Sequence, residues 1–551
     1  FGLKSGMKRV FAVGDLNLDV LCALGARAGF GTEAALRGLE FSLGGNAANF
    51  AYAAARLGMD ARLVSAVGND FITPFLKDSL KDAGVKAELL HKKGANGCSV
   101  ILVKKDGERA IYSVKGILGK ITAHNFEKML LPKLRHSDIA YFGGYFHLRS
   151  AQKGFPALLR KVKEKGCLVA FDLCYDEHGE WKLGGLLKHI DILFLNNVEL
   201  EYAAQGRGKD EKIAWLLKKG VRRVVLKEGS AGASVHSTLG ERFERAIRTK
   251  AIDTTGAGDV FNAGFIYGKV NGYSDRICLK IGNFAAGRKV GRSGLAVPDE
   301  QEVEKFISRE KLTGLEIVED YGALSKAAAA EVIEQVRERP DSTIGLPAGR
   351  TPTGMYIELV KAYKKGRVDF SKARFFGLDE YAGRRKKEWD SFAHEIDEGL
   401  FREVNVKNDN VFQFNGNARN LNSECARFES FIGRAGIDLV VLGIGNNGHV
   451  AFNEPGTSFS SRAHVVKLST NTINANARGG SLEDVPKKAV TVGLKSIMDA
   501  KRILLIANGK NKANAIKRAY VGKVGKGCPA SILQRHRNTT FLVDKTAAKN
   551  V

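Results

Sequence analysis

The sequence predicts an α/β protein of two domains, each a largely parallel sheet with helices on both faces. Apolar runs rich in Val and Ile alternate with longer helical patterns along both halves of the chain, as expected of repeated βα units. The length of 551 residues also exceeds what one hydrophobic core usually serves, because domains cluster at about 100–250 residues. Two sheets with separate cores are therefore expected.

Five apolar segments predict strands of the first sheet, at residues 10–13, 138–142, 168–171, 190–195 and 224–226. Near Asp299 this pattern stops, and a charged helix predicted over residues 300–310 leads into a short polar segment. The alternation then restarts, with strands predicted at residues 342–346, 373–376, 438–442 and 503–506. We therefore predict one domain over residues 7–311 and a second over residues 315–547.

Composition limits the classes of function. Apolar residues make up 44% of the chain and charged residues 26%, which is typical of a soluble globular protein. No run of about 20 apolar residues predicts a membrane span. The seven scattered cysteines form no Cys-x-x-Cys pair for a metal or redox centre. We expect a cytoplasmic enzyme with reduced thiols, either a monomer or a homo-oligomer.

The net charge of +26, from 86 basic and 60 acidic residues, favours anionic partners. The basic runs, such as residues 384–387, are short and carry no interleaved aromatic residues or helix-turn-helix pattern. A solvated basic surface explains such a charge equally well. The charge is therefore compatible with anionic small molecules, and we expect no specific nucleic-acid binding.

The strongest motif of the first half is Asp-Thr-Thr-Gly-Ala-Gly-Asp, which ends at Asp259 and opens an apolar helical pattern. A helix that begins at Gly256, Ala257 and Gly258 would aim its free N–H groups at the oxygens of a phosphoryl group. Asp259 would then accept the proton of an attacking hydroxyl. A plain helix start with an Asp cap is the alternative, because glycine-rich turns alone are weak evidence.

This motif resembles the second signature of the ribokinase family of carbohydrate kinases, and the resemblance extends over residues 8–306. The first signature of that family is matched by Gly-Gly-Asn-Ala-Ala-Asn, ending at Asn49. The resemblance implies a ribokinase-like fold with a small β lid. The residues that it implies for sugar binding are Asn17, Asp19, Gly44, Gly45, Asn46 and Asn49. Amide and carboxylate groups suit this role, because they bind the hydroxyls of a diol with paired hydrogen bonds.

The same resemblance implies ATP and Mg²⁺ as cofactors. It places Asn196 and Glu199 near the metal and the nucleotide phosphates, with Glu199 acting on Mg²⁺ indirectly. It also implies that Asp253 and Thr255 hold a monovalent cation such as K⁺. The further nucleotide contacts that it implies are Lys227, Gly229, Gly232, Gly256, Ala257, Gly258 and Asn283.

Two departures from the family pattern leave the sugar open. Thr73 stands where many relatives carry a second glycine, and Cys174 replaces the usual polar residue two positions after Asp172. The Gly-Gly-Asn opening of the first signature is more similar to kinases of unphosphorylated sugars or nucleosides than to phosphofructokinase-type members. We therefore favour a substrate that carries no phosphate.

The second half carries the motif Gly-Ile-Gly-Asn-Asn-Gly-His, which ends at His449 and directly follows an apolar strand. Glycines after a strand mark a ligand crevice at the carboxyl end of a parallel sheet. His449 and Glu454 are candidates for a hydrogen-bonded acid/base pair, although a lone histidine is more often structural. Two other predicted strand ends carry Asp379 and a phosphate-type loop from Gly349 to Thr353. Three strand ends therefore converge on one chemistry.

This combination resembles glucosamine-6-phosphate deaminase over residues 315–546, with a Rossmann-like fold. Phosphogluconolactonases share the glycine and histidine core but not the Asn-Glu-Pro continuation that contains Glu454. The resemblance implies that Asp379 is the base that moves a proton between C2 and C1, and that His449, oriented by Glu454, opens the sugar ring. Asn447 stands where some deaminases have a third active-site Asp. The implied phosphate ligands are Gly349, Arg350, Thr351, Thr353, Arg478 and Lys512.

Together the two resemblances suggest a bifunctional enzyme of aminosugar catabolism. In this hypothesis ATP phosphorylates glucosamine at O6, and the second domain converts the product into fructose 6-phosphate and ammonia without a metal or organic cofactor. Alternatively, the kinase acts on fructose 6-phosphate, another sugar or a nucleoside, or one half is a non-catalytic regulatory module. Resemblance of fold alone does not name the substrate of a kinase.

Overall fold

The structure is a computed structural model that describes residues 9–25, 33–104, 109–176, 178–238, 240–292, 294–310, 313–476 and 485–551. The chain divides into two compact units between residues 307 and 308. In the part of the chain that the structure describes, no helix is long and apolar enough to cross a membrane. All seven cysteines are free thiols, and six of them are buried.

The first unit contains strands and helices in alternation. Its described strands are β1 (Arg9–Gly14), β2 (Asn17–Leu24), β3 (Leu36–Gly44), β4 (Asp60–Val67), β5 (Lys86–His91), β6 (Gly97–Val103), β7 (Arg109–Val114), β8 (Ile139–Gly143), β9 (Leu168–Asp172), β10 (Ile192–Asn196), β11 (Arg223–Lys227), β12 (Gly232–Ser237) and β13 (Gly240–Arg245). Its described helices are α1 (Asn46–Arg56), α2 (Ile72–Asp82), α3 (Ala123–Leu130), α4 (Arg149–Gln152), α5 (Phe155–Glu164), α6 (Asn197–Ala203), α7 (Lys209–Lys218), α8 (Ala257–Val270), α9 (Asp275–Val290) and α10 (Glu300–Arg309).

Nine of these strands form the main sheet of the first unit, in the order β13-β12-β11-β10-β9-β8-β1-β4-β5. Seven strands are parallel, and β12 and β13 pair antiparallel at one edge. The five strands predicted for this sheet are confirmed as β1, β8, β9, β10 and β11. Their side chains are almost entirely buried, because helices cover both faces of a parallel sheet.

A second sheet of the first unit has the order β3-β2-β6-β7 and matches the small β lid implied by the resemblance. In the pairing of β2 with β3, Asn17 lies opposite Gly44 and Asp19 lies opposite Ser42. Most of β3 is exposed, so no alternation of buried and exposed residues marks it in the sequence. This pairing brings the two predicted groups of sugar-binding residues together.

The second unit is also an α/β structure. Its described strands are β14 (Gly314–Val318), β15 (Thr343–Leu346), β16 (Arg374–Gly377), β17 (Asp379–Tyr381), β18 (Val411–Phe412), β19 (Leu439–Leu442), β20 (His464–Lys467), β21 (Lys488–Thr491), β22 (Ile503–Ala507) and β23 (Thr539–Asp544). Its described helices are α11 (Tyr321–Glu338), α12 (Arg350–Lys364), α13 (Phe392–Gly399), α14 (Leu421–Ala435), α15 (Thr470–Asn476), α16 (Leu494–Met498) and α17 (Ala513–Tyr520).

Seven of these strands form a parallel sheet in the order β14-β23-β22-β19-β15-β16-β18, and β17, β21 and β20 form a small antiparallel sheet. The four strands predicted for this half are confirmed as β15, β16, β19 and β22. These four are neighbours in the parallel sheet, so their carboxyl ends lie along one edge. The segments that follow them carry the predicted catalytic and phosphate-binding residues of this half.

Candidate active sites

In the first unit, Asp259 lies in the first turn of α8. This helix begins directly after Gly256, whose φ of 71° lies in the left-handed region. Asp259 is only 5% exposed. Its carboxylate oxygens accept hydrogen bonds from Asn46 Nδ2 at 3.1 Å and Asn49 Nδ2 at 3.2 Å. Burial and the negative charge of Asp172 raise the pKa of Asp259 well above its usual range. The two signatures therefore meet at one buried carboxylate of raised pKa beside a helix N-terminus.

A buried charge network adjoins this carboxylate. Lys227 Nζ donates to Asp172 Oδ2 at 2.8 Å, and Asn262 Nδ2 donates to the same oxygen at 2.6 Å. A Cβ on Gly258 would lie 3.4 Å from Lys227 Nζ, so the start of α8 contacts the lysine closely. Sequence analysis did not single out Asp172 or Asn262 as site residues. The position of Asp172 at the carboxyl end of a buried parallel strand was the available signal.

Asn196 and Glu199 form a capping box at the start of α6. Asn196 Oδ1 accepts from Glu199 N at 2.8 Å, and Glu199 Oε2 accepts from Asn196 N at 2.8 Å. The second carboxylate oxygen of Glu199 takes no part in this box. Burial and the charge of Asp172 raise the pKa of Glu199 to about 7. The motif therefore has a structural role in α6, and its buried acid also favours a nearby cation.

The predicted sugar-binding residues form a compact polar group. Asn17 Nδ2 donates to Asp19 Oδ1 at 2.7 Å and to Ser99 Oγ at 3.2 Å. A Cβ on Gly44 would lie 2.1 Å from Asp19 Oδ1, and a Cβ on Gly45 would lie 2.9 Å from Asn17 Oδ1. Glycine is therefore required at both positions, because any side chain would displace the groups expected to hold the sugar.

Asp15 and His147 are two further polar residues beside this group. The Asp15 carboxylate accepts from Ala47 N at 3.0 Å and lies 2.9 Å from His147 Nδ1. Burial and the charge of Asp15 raise the pKa of Asp19 to about 7. Sequence analysis missed this pair because its members are 132 residues apart and belong to no motif.

The other predicted nucleotide contacts lie near the antiparallel edge of the main sheet. Gly229 and Gly232, with φ of 60° and 129°, flank the turn between β11 and β12. Asn283 on α9 donates to the carbonyls of Glu244 at 2.9 Å and Arg245 at 3.1 Å. Asn283 therefore connects α9 to β13, and its contact with the nucleotide stays a prediction.

Asp253, one of the two predicted ligands of a monovalent cation, already binds the positively charged side chain of Lys289. Asp253 Oδ1 accepts from Thr255 N at 2.8 Å. The other carboxylate oxygen of Asp253 accepts from the ammonium of Lys289, which also lies 3.2 Å from the Asp253 carbonyl. Lys289 is 1% exposed, so the ammonium of this ion pair is buried, while the side chain of Asp253 is 16% exposed.

In the second unit, His449 and Glu454 are close but not directly hydrogen-bonded. His449 Nδ1 lies 3.8 Å from Glu454 Oε2, which is too long for a hydrogen bond. The hydroxyl of Thr472 lies 3.3 Å from His449 Nδ1 and donates to Glu454 Oε1 at 2.5 Å. The prediction of a directly bonded pair is therefore wrong. The physical reason is that Thr472, Ser469 and Asn447 already engage the oxygens of Glu454.

Asn447 supports both members of this pair. Its Nδ2 donates to Glu454 Oε2 at 2.8 Å, and its Oδ1 accepts from the backbone N–H of His449 at 3.1 Å. Burial raises the pKa of Glu454, but the hydrogen bonds from Thr472 and Ser469 outweigh this effect and hold it below its usual value. Burial lowers the pKa of His449 to about 4, so its imidazole is neutral at neutral pH.

Glycine is required immediately beneath the imidazole. A Cβ on Gly445 would lie 2.2 Å from His449 Cε1 and 2.5 Å from Nε2. At Gly443, two residues earlier, a Cβ would meet no atom within 4 Å. The motif therefore contains one glycine on which the histidine ring packs and one with open space above it.

Asp379 lies at the start of β17, where it pairs with Thr491 of β21. Burial, followed by the charges of Glu380 and Glu395, raises its pKa to about 8. Glu380 is itself buried and accepts from Ser391 Oγ at 2.7 Å and Ala393 N at 2.9 Å, so it caps the start of α13. The second carboxylate of the motif is therefore structural, while Asp379 is available for proton transfer.

The predicted phosphate loop leads into α12. Gly349 has a φ of 107°, and its N–H donates to Glu395 Oε1 at 2.7 Å. Thr353 Oγ1 donates to the Gly349 carbonyl at 3.2 Å, and Thr351 Oγ1 donates to Asn508 Oδ1 at 2.9 Å. The first turn of α12 presents backbone N–H groups that have no acceptor within the helix. Sequence analysis missed Glu395, which lies on α13, and Asn508, which directly follows β22.

Two charged phosphate ligands were predicted in addition to this loop. The positive charge of Lys512 contributes to the low pKa of His449, which places the ammonium near the imidazole. Burial lowers the pKa of Lys512 itself. Arg350, the first residue of α12, is exposed. Arg478 lies outside the described residues, so its predicted contact with phosphate stays a prediction.

These sites define two classes of enzyme in one chain: a sugar kinase of the ribokinase type and an isomerising deaminase of a sugar phosphate. The pfkB family carbohydrate kinases match residues 7–302, and the family of glucosamine-6-phosphate isomerases and 6-phosphogluconolactonases matches residues 319–542. The chain belongs to both families, as a fusion of a pfkB carbohydrate kinase domain and a glucosamine-6-phosphate deaminase domain.

Curated relatives support the second assignment. A glucosamine-6-phosphate deaminase of Clostridium botulinum is 46% identical over 237 residues, which are 43% of this chain and 97% of that protein. One of Clostridium novyi is 47% identical over 234 residues, which are 42% of this chain and 97% of that protein.

Among solved structures, a monomeric glucosamine-6-phosphate deaminase covers 43% of this chain and 100% of its own, at 39% identity and a TM-score of 0.43. A ribokinase of Thermotoga maritima covers 55% of this chain and 99% of its own, at 23% identity and a TM-score of 0.48.

Proposed function

We propose that the second domain converts glucosamine 6-phosphate into fructose 6-phosphate and ammonia. The observation that carries this proposal concerns Asp379, His449, Lys512 and the Gly349 loop. Each of them follows the carboxyl end of a strand, and these strands are neighbours in one sheet. Asp379 is the base that moves the proton between C2 and C1 of the open-chain aminosugar. Its pKa of about 8 suits a group that must accept and return a proton near neutral pH.

His449 opens the sugar ring in this proposal. Because the hydroxyl of Thr472 gives its single proton to Glu454, His449 Nδ1 must carry the proton that Thr472 accepts. His449 Nε2 is then the unprotonated nitrogen, and it takes the proton of the anomeric hydroxyl. The phosphate binds at the first turn of α12 and at Lys512, with Arg478 as a further ligand. No metal or organic cofactor is required.

We also propose that the first domain transfers a phosphoryl group from ATP to O6 of glucosamine. The observation that carries this proposal is Asp259, held by Asn46 and Asn49 at the N-terminal turn of α8. Asp259 accepts the proton of the attacking hydroxyl, and the N–H groups at Gly256, Ala257 and Gly258 stabilise the charge of the transferring group.

Mg²⁺ bound to the nucleotide would neutralise the charge of its phosphates. Within the described residues, no group of three or more His, Cys, Asp and Glu side chains is arranged to hold a metal ion alone. This fits Mg²⁺ that arrives on ATP, since the ion keeps phosphate and water ligands and needs few carboxylates. Glu199 and Asp172, with Lys227 beside them, are the residues that would orient it, Glu199 indirectly.

The surroundings of Asp19 support an unphosphorylated aminosugar as the substrate. Asp15 and Asp19 contribute carboxylates, while Asn17 and Ser99 contribute an amide and a hydroxyl. A sugar with hydroxyls and an ammonium group suits this negative environment. A sugar that already carries a phosphate, such as fructose 6-phosphate, would be repelled by it. Fructose 6-phosphate, another sugar or a nucleoside remains the alternative substrate, and a silent regulatory half is the alternative class of function.

The test is a panel of sugars with and without ATP, in which ADP and ammonia are measured separately for the wild type, Asp259→Asn and Asp379→Asn. We expect glucosamine with MgATP to give ADP and then ammonia. Asp259→Asn should abolish ADP formation but leave ammonia release from glucosamine 6-phosphate intact, and Asp379→Asn should do the reverse. Absence of ADP with glucosamine would refute the proposed kinase substrate, whereas absence of ammonia from glucosamine 6-phosphate would refute the proposed deaminase.

A further inference from the structure

Lys289 is a fully buried lysine at the end of α9. It is 1% exposed, and lysine is rarely buried unless its charge is paired. Its ammonium donates to a carboxylate oxygen of Asp253 and to the backbone carbonyl of the same residue, the latter at 3.2 Å. Burial lowers the pKa of Lys289, and Asp253 opposes this effect. One carboxylate oxygen and the backbone carbonyl oxygen of Asp253 thus both contact the ammonium of Lys289.

This ion pair holds the segment that leads to the catalytic helix. The N–H groups of Ile252 and Asp253 donate to the Val290 carbonyl at 2.9 and 3.2 Å, so the segment is fastened to the end of α9. The other carboxylate oxygen of Asp253 accepts from Thr255 N, whose residue directly precedes Gly256 and the N-terminal turn of α8. Movement of Asp253 would therefore move the turn that carries the proposed phosphoryl-binding N–H groups.

The described residues do not fit a monovalent metal cation at this point. Such an ion would need the carboxylate and carbonyl oxygens of Asp253, and Lys289 already uses both. An ammonium group has the same charge as K⁺ and a similar size, and a second cation beside it would be repelled. The expectation that Asp253 and Thr255 hold K⁺ therefore disagrees with the positions of these side chains.

We propose that Lys289 is a positioning residue that takes the place of a monovalent cation, so that the kinase domain works without one. The lysine supplies in the same chain the positive charge that keeps the Asp253 loop and the start of α8 in place. This inference rests on the proposed kinase function. In this proposal Lys289 acts through Asp253 and touches neither the sugar nor the nucleotide.

The first test uses the full-length wild-type chain and needs no substitution. MgATP affinity is measured by calorimetry, and ADP formation with glucosamine is measured in parallel, in potassium chloride and in tetramethylammonium chloride of equal ionic strength. We expect both quantities to agree within about 2-fold between the salts. A clear gain in MgATP affinity on addition of K⁺ would overturn the inference. If ADP is not formed with any sugar, the proposed function fails while the calorimetric comparison still tests Lys289.

The second test removes the ammonium group of Lys289 by substitution. Lys289→Ala leaves space for an ion, and we expect it to lose about 10-fold in MgATP affinity and to unfold at a lower temperature in tetramethylammonium chloride. Addition of K⁺ should restore both. Lys289→Met fills the space without charge, so K⁺ should not restore it. Arg292→Ala is the matched control, because Arg292 is half exposed and faces Glu302 at 3.8 Å.

The salt dependence of Lys289→Ala separates the proposed role from simple packing. Restoration by K⁺ of the unfolding temperature requires that an ion occupy the vacated place, whereas a lysine that only fills space would leave a variant indifferent to the cation. Equal behaviour of Lys289→Ala and the wild type in both salts would refute the inference. If Lys289→Ala does not fold in either salt, the comparison of salts with the wild-type chain remains decisive.

Discussion

The carboxylate of Glu395 accepts a hydrogen bond of 2.7 Å from the backbone N–H of Gly349. It thereby lies at the loop that is proposed to bind the phosphate of the substrate, and two anions cannot share this N–H group. The same carboxylate contributes to the raised pKa of Asp379. Glu395 therefore connects phosphate binding to the protonation of the proposed base.

The first prediction concerns the pH dependence of deamination. Asp379 acts in its ionised form, so kcat/KM of the wild type should rise with pH through about 8, the pKa of this carboxyl group. Glu395→Gln removes one of the negative charges that raise this pKa and leaves an acceptor for the Gly349 N–H. We expect the rising limb to move to lower pH and kcat/KM at pH 7 to increase, as measured by ammonia release across pH.

Glu398→Gln is the control for this experiment, because Glu398 lies on the same helix, is exposed and pairs with Arg402. It should reproduce the wild-type pH profile. An unchanged limb in Glu395→Gln would show that the charge of Glu395 has no influence on Asp379.

The second prediction tests the hydroxyl bridge between His449 and Glu454. Thr472→Val keeps the shape of the side chain but removes the hydroxyl that contacts both groups. We expect kcat for glucosamine 6-phosphate to fall about 10-fold, equivalent to about 1.4 kcal/mol, with little change in KM, because orientation of the imidazole is lost. Thr472→Ser should restore most of the rate. A loss that serine does not restore would instead indicate a packing role for the methyl group.

The third prediction compares two glycines of one motif. Gly445→Ala would place a methyl group 2.2 Å from the His449 ring, whereas Gly443→Ala would meet no atom within 4 Å. We expect Gly445→Ala to lower kcat/KM for deamination about 100-fold through displacement of the imidazole. Gly443→Ala should stay near the wild type. Similar activities of the two variants would contradict the proposed position of His449.

The fourth prediction addresses the sugar site of the kinase domain. Gly44→Ala would place its Cβ 2.1 Å from Asp19 Oδ1, while Gly38→Ala on the same strand would meet only the Ala23 Cβ at 3.9 Å. We expect Gly44→Ala to raise KM for the sugar at least about 10-fold, with little effect on MgATP affinity. Gly38→Ala should leave both unchanged. Loss of MgATP binding in Gly44→Ala would indicate a wider disturbance of the domain.

The sequence alone determined the class of the fold and pointed to most of the residues of the two proposed sites. Buried parallel strands such as β8 and β19 are short apolar runs, and their pattern is visible because helices cover both faces. The glycine motifs were equally clear, since glycine is required where another side chain approaches the backbone closely, as the Asp19 carboxylate does at Gly44 and the His449 ring does at Gly445.

Only the tertiary structure decided which partners those residues have. Thr472, Glu395 and Lys289 lie outside every motif that the sequence showed. Each contacts a motif residue that is distant in sequence: Thr472 contacts His449 and Glu454, Glu395 accepts from the Gly349 N–H, and Lys289 donates to Asp253. Exposed β3 showed no alternation, so its pairing with β2 could not be foreseen either. The physical reason is that periodicity reports burial along one element, whereas a hydrogen bond or ion pair between side chains depends on how separate elements pack.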